Sequence, residues 1–172
     1  MRTTKSRSSI GVRGIKLAEN DSIISLSILS HLDVTSSEAK AYLKMNKSTK
    51  EDSDDNEDDS REDIEDIKLS EDRFQEMKAC EQFVLTVTEN GFGKRTSSYQ
   101  FRVTNRGGSG IMCITTSSRN GNVLASFPVG HDDDIMLITK SGQLIRCPVI
   151  DIRVAGRNTQ GVSIFKTTDS EK

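Results

Sequence analysis

Apolar residues in this chain gather in short β-branched runs closed by Gly-containing turns. Phe83-Val84-Leu85-Thr86-Val87-Thr88 is followed by Asn90-Gly91, a strong hairpin signal. Asp134-Ile135-Met136-Leu137-Ile138-Thr139 is followed by Ser141-Gly142 in the same place. Ile111 to Thr116 and Val123 to Val129 read as two further strands, with Asn120-Gly121 between them. A different pattern precedes them. Ser37 is placed to cap a short helix through Glu38, Ala39, Ala41, Tyr42 and Leu43. Ser70 is placed to cap a second, with Glu71 and Asp72 favourable in its first turn. Phe74 and Met77 sit three apart on one face of that helix.

The β pattern repeats. Gly91 matches Gly142, Arg95 matches Arg146, and Arg102-Val103 matches Arg153-Val154. Arg106 matches Arg157, and Gly110-Ile111 is matched by Gly161-Val162; every pair is 51 residues apart. Arg7-Ser8-Ser9-Ile10-Gly11-Val12 lines up with the segments starting at Arg106 and Arg157, as a third, partial copy. A period of roughly 50 residues predicts a propeller blade or another repeat array. The expected fold is all-β, an incomplete β-propeller or β-pinwheel of about one full blade and two partial ones. Residues 1–30 are expected to form a partial blade, 81–130 a complete blade and 131–172 another partial blade. Blades bury their faces against neighbours, so the chain reads as a piece of a larger array.

Charge changes this picture. The 172 residues carry 24 Lys and Arg against 26 Asp and Glu, a formal net of −2. Residues 51–82 alone hold 15 acidic and four basic residues, a net of −11, which leaves +9 for the rest. Blocks of like charge repel themselves and resist collapse. Residues 31–80 are therefore expected to be an acidic insertion, mostly disordered, with the two short helices at its flanks. Its acidic run, Glu51 to Asp59, reads as a solvated linker and lacks the Gly and terminal Glu of an EF-hand loop. The insertion also dilutes the hydrophobic content to 33%, which is low for one compact core.

Several classes are excluded as expectations. No apolar run approaches the roughly 20 residues of a membrane span. Arg2, Lys5 and Arg7 are not followed by the apolar region of a secretory signal. Cys80, Cys113 and Cys147 are odd in number and widely spaced, against a disulfide framework or a zinc site and in favour of a reducing compartment. Cys113 and Cys147 are expected in strands, as small core residues. His31 and His131 stand alone, and Asp132-Asp133-Asp134 reads as a polar loop, so no metal site is expected. Gly107-Gly108-Ser109-Gly110 lacks the Gly-Lys-Ser/Thr ending of a phosphate loop.

Longer strings carry a family resemblance. They are Gly11-Val12-Arg13-Gly14-Ile15-Lys16-Leu17, Leu85 through Thr96, Arg102 through Gly110, Asp134 through Thr139, and Gly156 through Val162. These resemble the carboxy-terminal domain of bacterial DNA gyrase A, a β-pinwheel, over residues 7–29 and 83–166. The resemblance implies DNA wrapping: a disc whose basic rim bends duplex DNA and presents it to the cleavage core of a type II topoisomerase. The family's signature box is Gln-Arg-Arg-Gly-Gly-X-Gly. Here Arg106, Gly107, Gly108 and Gly110 agree with it, the Gln is missing and Asn105 replaces the first Arg, as in a later-blade relative of the box. Residues 31–80 have no counterpart in the general pattern. The family's cleaving Tyr, with its supporting Arg, lies in an amino-terminal domain; Tyr42 and Tyr99 do not stand in an Arg-Tyr context. No catalytic residue is therefore expected here, and the chain is not expected to be active alone.

By the same resemblance, ATP and Mg belong to the parent complex, with no cofactor in this chain. Double-stranded DNA, the remainder of the gyrase A protein and the gyrase B protein are the implied partners, in a bacterial cytoplasm at the nucleoid. The alternatives are a fragment of the matching topoisomerase IV protein, or a propeller fragment that binds proteins and no nucleic acid. Phosphate contacts need exposed cations. The candidates are Arg7, Arg13, Lys16, Lys94, Arg95, Arg102, Arg106, Arg119, Arg146, Arg153 and Arg157. Lys94-Arg95, beside a hairpin turn, is expected to be exposed and to face DNA. The Arg7/Arg106/Arg157 series suits phosphate contacts and structural hydrogen bonds to loop carbonyls equally. Gly11, Gly110 and Gly161 are expected to permit positive φ. The acidic insertion is expected to be a passive tether; the alternative is that it folds over the basic surface and competes with DNA.

Overall fold

The computed structural model describes residues 6–48 and 69–166. In chain order the elements are α1 (Ser36–Ser48), α2 (Glu71–Cys80), β1 (Phe83–Thr88), β2 (Phe92–Ser97), β3 (Val123–Val129), β4 (Asp134–Ile138), β5 (Leu144–Pro148) and β6 (Val162–Ser163). Four strands form an antiparallel sheet in the order β3-β1-β2-β6, and β4 pairs with β5 in a separate hairpin. Three strands of the larger sheet come from residues 83–129, and the fourth comes from the following repeat unit.

The sequence repeat is visible in the backbone. Gly91 and Gly142 take φ of 74° and 85° at the two hairpin turns, a conformation that favours Gly. Gly11, Gly110 and Gly161 have φ of 82°, 80° and 80°, as expected. At Gly161 the close approach of chains matters as well: a Cβ there would lie 2.7 Å from the Gly93 oxygen, so β6 can reach β2 only without a side chain. Short 3₁₀ turns follow β2 at Ser98–Gln100 and β5 at Val149–Asp151, one period apart.

The core lies between the two repeat units. Leu85 and Val87 of β1 pack with Ile135 of β4 and with Val149 and Ile152 beyond β5. Val129, Leu137, Cys147 and Ile164 close its margin. Cys147 sits in β5 as expected, whereas Cys113 lies outside any strand, with its sulfur 3.1 Å from the Thr86 hydroxyl.

The all-β expectation is overturned. Among the described residues the fold is mixed, with two α-helices and two open sheets, where an all-β incomplete β-propeller was expected. The helices form because each is capped and the pair buries aromatic surface. Thr35, not Ser37, caps α1: its hydroxyl accepts from the Glu38 N–H (3.2 Å), and the Glu38 carboxylate accepts from the Thr35 N–H (2.8 Å). That reciprocal arrangement is a capping box. Ser70 caps α2 as expected, accepting from the Arg73 N–H. Arg73 Nε then donates to Glu38 at 3.0 Å and ties the helices together. Tyr42 and Met77 are fully buried. The Tyr42 ring packs 5.1 Å from both Phe74 and Tyr99, and the Tyr99 hydroxyl donates to the Met77 carbonyl. Burial pushes the Tyr99 hydroxyl up to about 12. The helical pair therefore sits on the 3₁₀ turn that follows β2.

Ile111 to Thr116 forms no strand. Its polar groups bond across to the next unit instead: the Thr115 N–H donates to the Thr159 carbonyl and the Thr115 hydroxyl to that of Asn158. The acidic run Glu51 to Asp59, expected to be a solvated linker, lies outside the described residues.

Candidate nucleic-acid interface

Residues 6–18 and 101–120 contain Arg7, Arg13, Lys16, Arg102, Arg106 and Arg119 and not one Asp or Glu. The fold joins these two acid-free stretches. The Gly107 N–H donates to the Gly14 carbonyl at 2.6 Å, and the Lys16 N–H donates to the Gly108 carbonyl at 2.8 Å. Arg13, Lys16 and Arg106 are thereby brought to one seam. All six cations on these stretches are exposed. Cations without intervening carboxylates raise the local potential and concentrate an anionic partner. Such a seam suits a polyanion whose phosphates recur along a line.

Arg119 is placed by different means. Its guanidinium lies 5.0 Å from the centre of the Phe92 ring, a cation–π contact. The buried Asn120 holds the loop beneath it: its amide donates to the carbonyls of Thr115 (2.9 Å) and Gln160 (3.1 Å), and its oxygen accepts from the Ser117 N–H. Asn90 adds a donor to the Arg119 carbonyl at 3.0 Å. Sequence reading took Asn120 for a turn residue before Gly121 and missed this organising role.

Lys94 and Arg95 are not where the sequence pattern put them. Both are buried, against the expectation of exposure. Lys94 Nζ donates to the carbonyls of Gly156, Arg157 (2.8 Å) and Thr159 (3.2 Å). Arg95 donates to the carbonyls of Ile152 (2.7 Å) and Ile150 (3.0 Å), and burial lowers its pKa from the ordinary guanidinium value. Their charges satisfy a run of carbonyls in the following unit that has no ladder partner of its own. The two side chains thus fasten one repeat unit to the next. Arg157 is also structural in part: it is half-buried and donates to the Met112 carbonyl, while its N–H donates to Gln100.

Comparison with known proteins bears on this basic seam directly. The family described as DNA gyrase C-terminal domain, beta-propeller, matches residues 4–30, 82–129 and 133–172. The chain belongs to this family. The match covers both sides of the seam and leaves out residues 31–81, which hold α1 and α2. The DNA gyrase A protein of Rickettsia bellii (strain RML369-C) is 45% identical over 172 residues, 100% of this chain and 19% of that protein. The corresponding protein of Granulibacter bethesdensis (strain ATCC BAA-1260 / CGDNIH1) is 44% identical over 182 residues, 99% of this chain and again 19% of the relative. The chain thus spans about a fifth of the length of these relatives. The Rickettsia alignment runs across the helical insertion that the family pattern omits. A solved DNA gyrase A C-terminal domain is similar over 51% of this chain and 30% of that one, at 25% identity and a TM-score of 0.48.

Within the family framework, matched arginines do not share one environment. Arg146, one period after buried Arg95, is exposed and pairs with Asp134 (Nε to Oδ2 2.8 Å). Arg102 and Arg153 are both exposed. Repetition alone therefore does not build the rim. The two histidines, read as isolated, line one open cleft with Lys78, Cys80 and Glu81. Among the described residues, no group of three or more His, Cys, Asp or Glu is placed to hold a metal ion.

Proposed function

We propose that this chain binds and bends duplex DNA as a DNA-wrapping part of a gyrase A protein, contributing to control of DNA topology in a type II topoisomerase. The observation that carries this reading is the acid-free seam, in which Gly14 and Lys16 pair with Gly107 and Gly108 and collect Arg13, Lys16 and Arg106. Phosphate contacts position a duplex without reading its bases, so recognition rests on shape and on the energy of bending. Arg7, Arg102 and Arg119 extend the same surface, and Arg153 and Arg157 continue it into the second unit. Lys94 and Arg95 support this surface from beneath rather than touching DNA. Residues 1–30, 81–130 and 131–172 act as successive blade segments, with 31–80 inserted between the first two. The partners are double-stranded DNA, the rest of the gyrase A protein and the gyrase B protein, in the cytoplasm at the nucleoid. Strand cleavage and ATP hydrolysis, with their Mg, belong to the rest of that complex. Among the described residues, no helix is long and apolar enough to cross a membrane.

Titration of a fluorescent duplex at rising salt tests the reading. With the three seam cations and Arg7, Arg102 and Arg119 all on phosphates, affinity is expected to fall about 10³-fold between 50 and 200 mM salt. A complex insensitive to salt, or no complex at low salt, would overturn it.

A further inference from the structure

Arg119 is exposed, and its guanidinium lies over the Phe92 ring with no hydrogen bond or ion pair among the described residues. Its N–H donors are left to an outside acceptor. The loop beneath it is pinned to the turn between β1 and β2. Asn90 Nδ2 donates to the carbonyls of Ser118 (3.3 Å) and Arg119 (3.0 Å), and the Asn90 N–H donates to that of Asn120 (3.2 Å). The Asn122 N–H donates to the Glu89 carboxylate and the Glu89 N–H to the Asn122 carbonyl, both at 3.0 Å. The Gly121 N–H closes the loop on the Ser117 carbonyl at 2.9 Å.

Asn120 stands at the centre of this loop. Its side chain is fully buried, and all of its hydrogen-bonding capacity is used. The amide oxygen accepts from the Ser117 N–H (2.7 Å) and hydroxyl (3.2 Å). The amide nitrogen donates to the carbonyls of Thr115 (2.9 Å) and Gln160 (3.1 Å). Gln160 belongs to the following unit, so one amide ties the Arg119 loop to the turn that carries Arg157. Two neighbouring bonds repeat the tie: Arg157 Nη1 to the Met112 carbonyl at 3.1 Å, and the Thr115 hydroxyl to the Asn158 carbonyl at 3.0 Å. A smaller side chain at Asn120 would leave the Thr115 and Gln160 carbonyls without this donor.

We infer that Asn120 is the positioning residue for Arg119: it fixes the loop so that the guanidinium meets a DNA phosphate already oriented, in a set place relative to Arg157. This rests on the reading of the chain as a DNA-binding part. A guanidinium presents a planar fork of donors, and an Arg ordered beforehand loses less freedom on binding.

Duplex titrations of the full chain at several salt concentrations test this. Arg119→Ala should reduce the slope of log K against log salt by about 0.9 and weaken binding about 10-fold at 50 mM salt. Asn120→Ala should weaken binding to a similar degree by itself and add nothing in the Arg119→Ala background. A merely structural Asn120 would weaken both backgrounds alike. Asn90→Ala, at a half-buried position that also holds the Arg119 carbonyl, should show the same pattern. It decides the matter if circular dichroism shows that Asn120→Ala has lost its fold. Equal losses in the two backgrounds, or no loss from either Asn variant, would overturn the inference. A wild-type chain that binds duplex with a slope unchanged by Arg119→Ala would also overturn it, and would leave the DNA-binding reading standing. A wild-type chain that binds no duplex would overturn both.

Discussion

The hairpins β1–β2 and β4–β5 start from matched sequences, yet Leu85 and Val87 are buried where Met136 and Ile138 face solvent. Arg95 is enclosed by carbonyls of the next unit, and Arg146 lies open beside Asp134. Tyr99, at the turn after β2, lies under the helical pair, whereas Ile150 at the matching place is exposed. Among the described residues the difference comes from neighbours: the first hairpin is flanked by β3 and β6 and backed by residues 149–159, whereas β4 and β5 pair only with each other. A repeat pattern therefore states what a position is suited to, and the adjoining unit decides how it is used.

The largest test of this contrast is in the core. Leu85→Ala should lower stability by about 2–5 kcal/mol, while Met136→Ala should change it by no more than about 0.5 kcal/mol. Chemical denaturation reads both. Equal losses would mean that the two hairpins are equivalent after all.

Next come the arginines. Arg95→Ala strips the carbonyls of Ile150 and Ile152 of their donor, and a loss of about 2–3 kcal/mol is expected. Arg146→Ala removes an exposed ion pair and should cost at most about 1 kcal/mol. Thermal melts of the pair give the ranking, and a reversed order would refute the assignment of Arg95 as a structural fastener.

The smallest effect concerns the helical pair that covers Tyr99 and, among the described residues, has no counterpart over Ile150. Hydrogen bonds from Thr35, then Arg73, hold the Glu38 carboxyl below the usual carboxylate range. A carboxyl with a lowered folded pKa contributes stability above the ordinary carboxylate range, and loses it as pH falls through the lowered value. Near-UV circular dichroism of Tyr42 and Tyr99 should therefore weaken on acidification. Glu38→Gln should flatten that response; an unchanged acid transition would place its origin elsewhere.

Local signals carried much of the fold. Asn90-Gly91 and Ser141-Gly142 marked both hairpin turns, and β1 runs over the residues its β-branched pattern predicted. Ser70 was legible as a cap because its partner lies three residues on. One miss is local, the cap of α1 at Thr35 rather than Ser37; those that bear on the site are long-range. Lys94-Arg95 looks like a solvated turn flank until residues 150–159 run alongside β2, which no local pattern announces. The joining of Arg13 and Lys16 to Arg106 likewise spans some ninety residues of sequence and rests on backbone hydrogen bonds, to which side-chain identity is nearly blind. The charge partition marked a basic remainder of +9, but the two acid-free stretches within it were not singled out. Nor was it legible that these stretches adjoin.

The seam is most directly tested by the salt dependence of duplex binding, compared between the wild-type chain and the triple variant Arg13→Ala, Lys16→Ala, Arg106→Ala. These side chains are exposed, so the fold should be kept. Each lost phosphate contact should reduce the slope of log K against log salt by about 0.9, giving a reduction of about 3 with weaker binding at low salt. An unchanged slope and affinity would show that DNA does not lie on this seam.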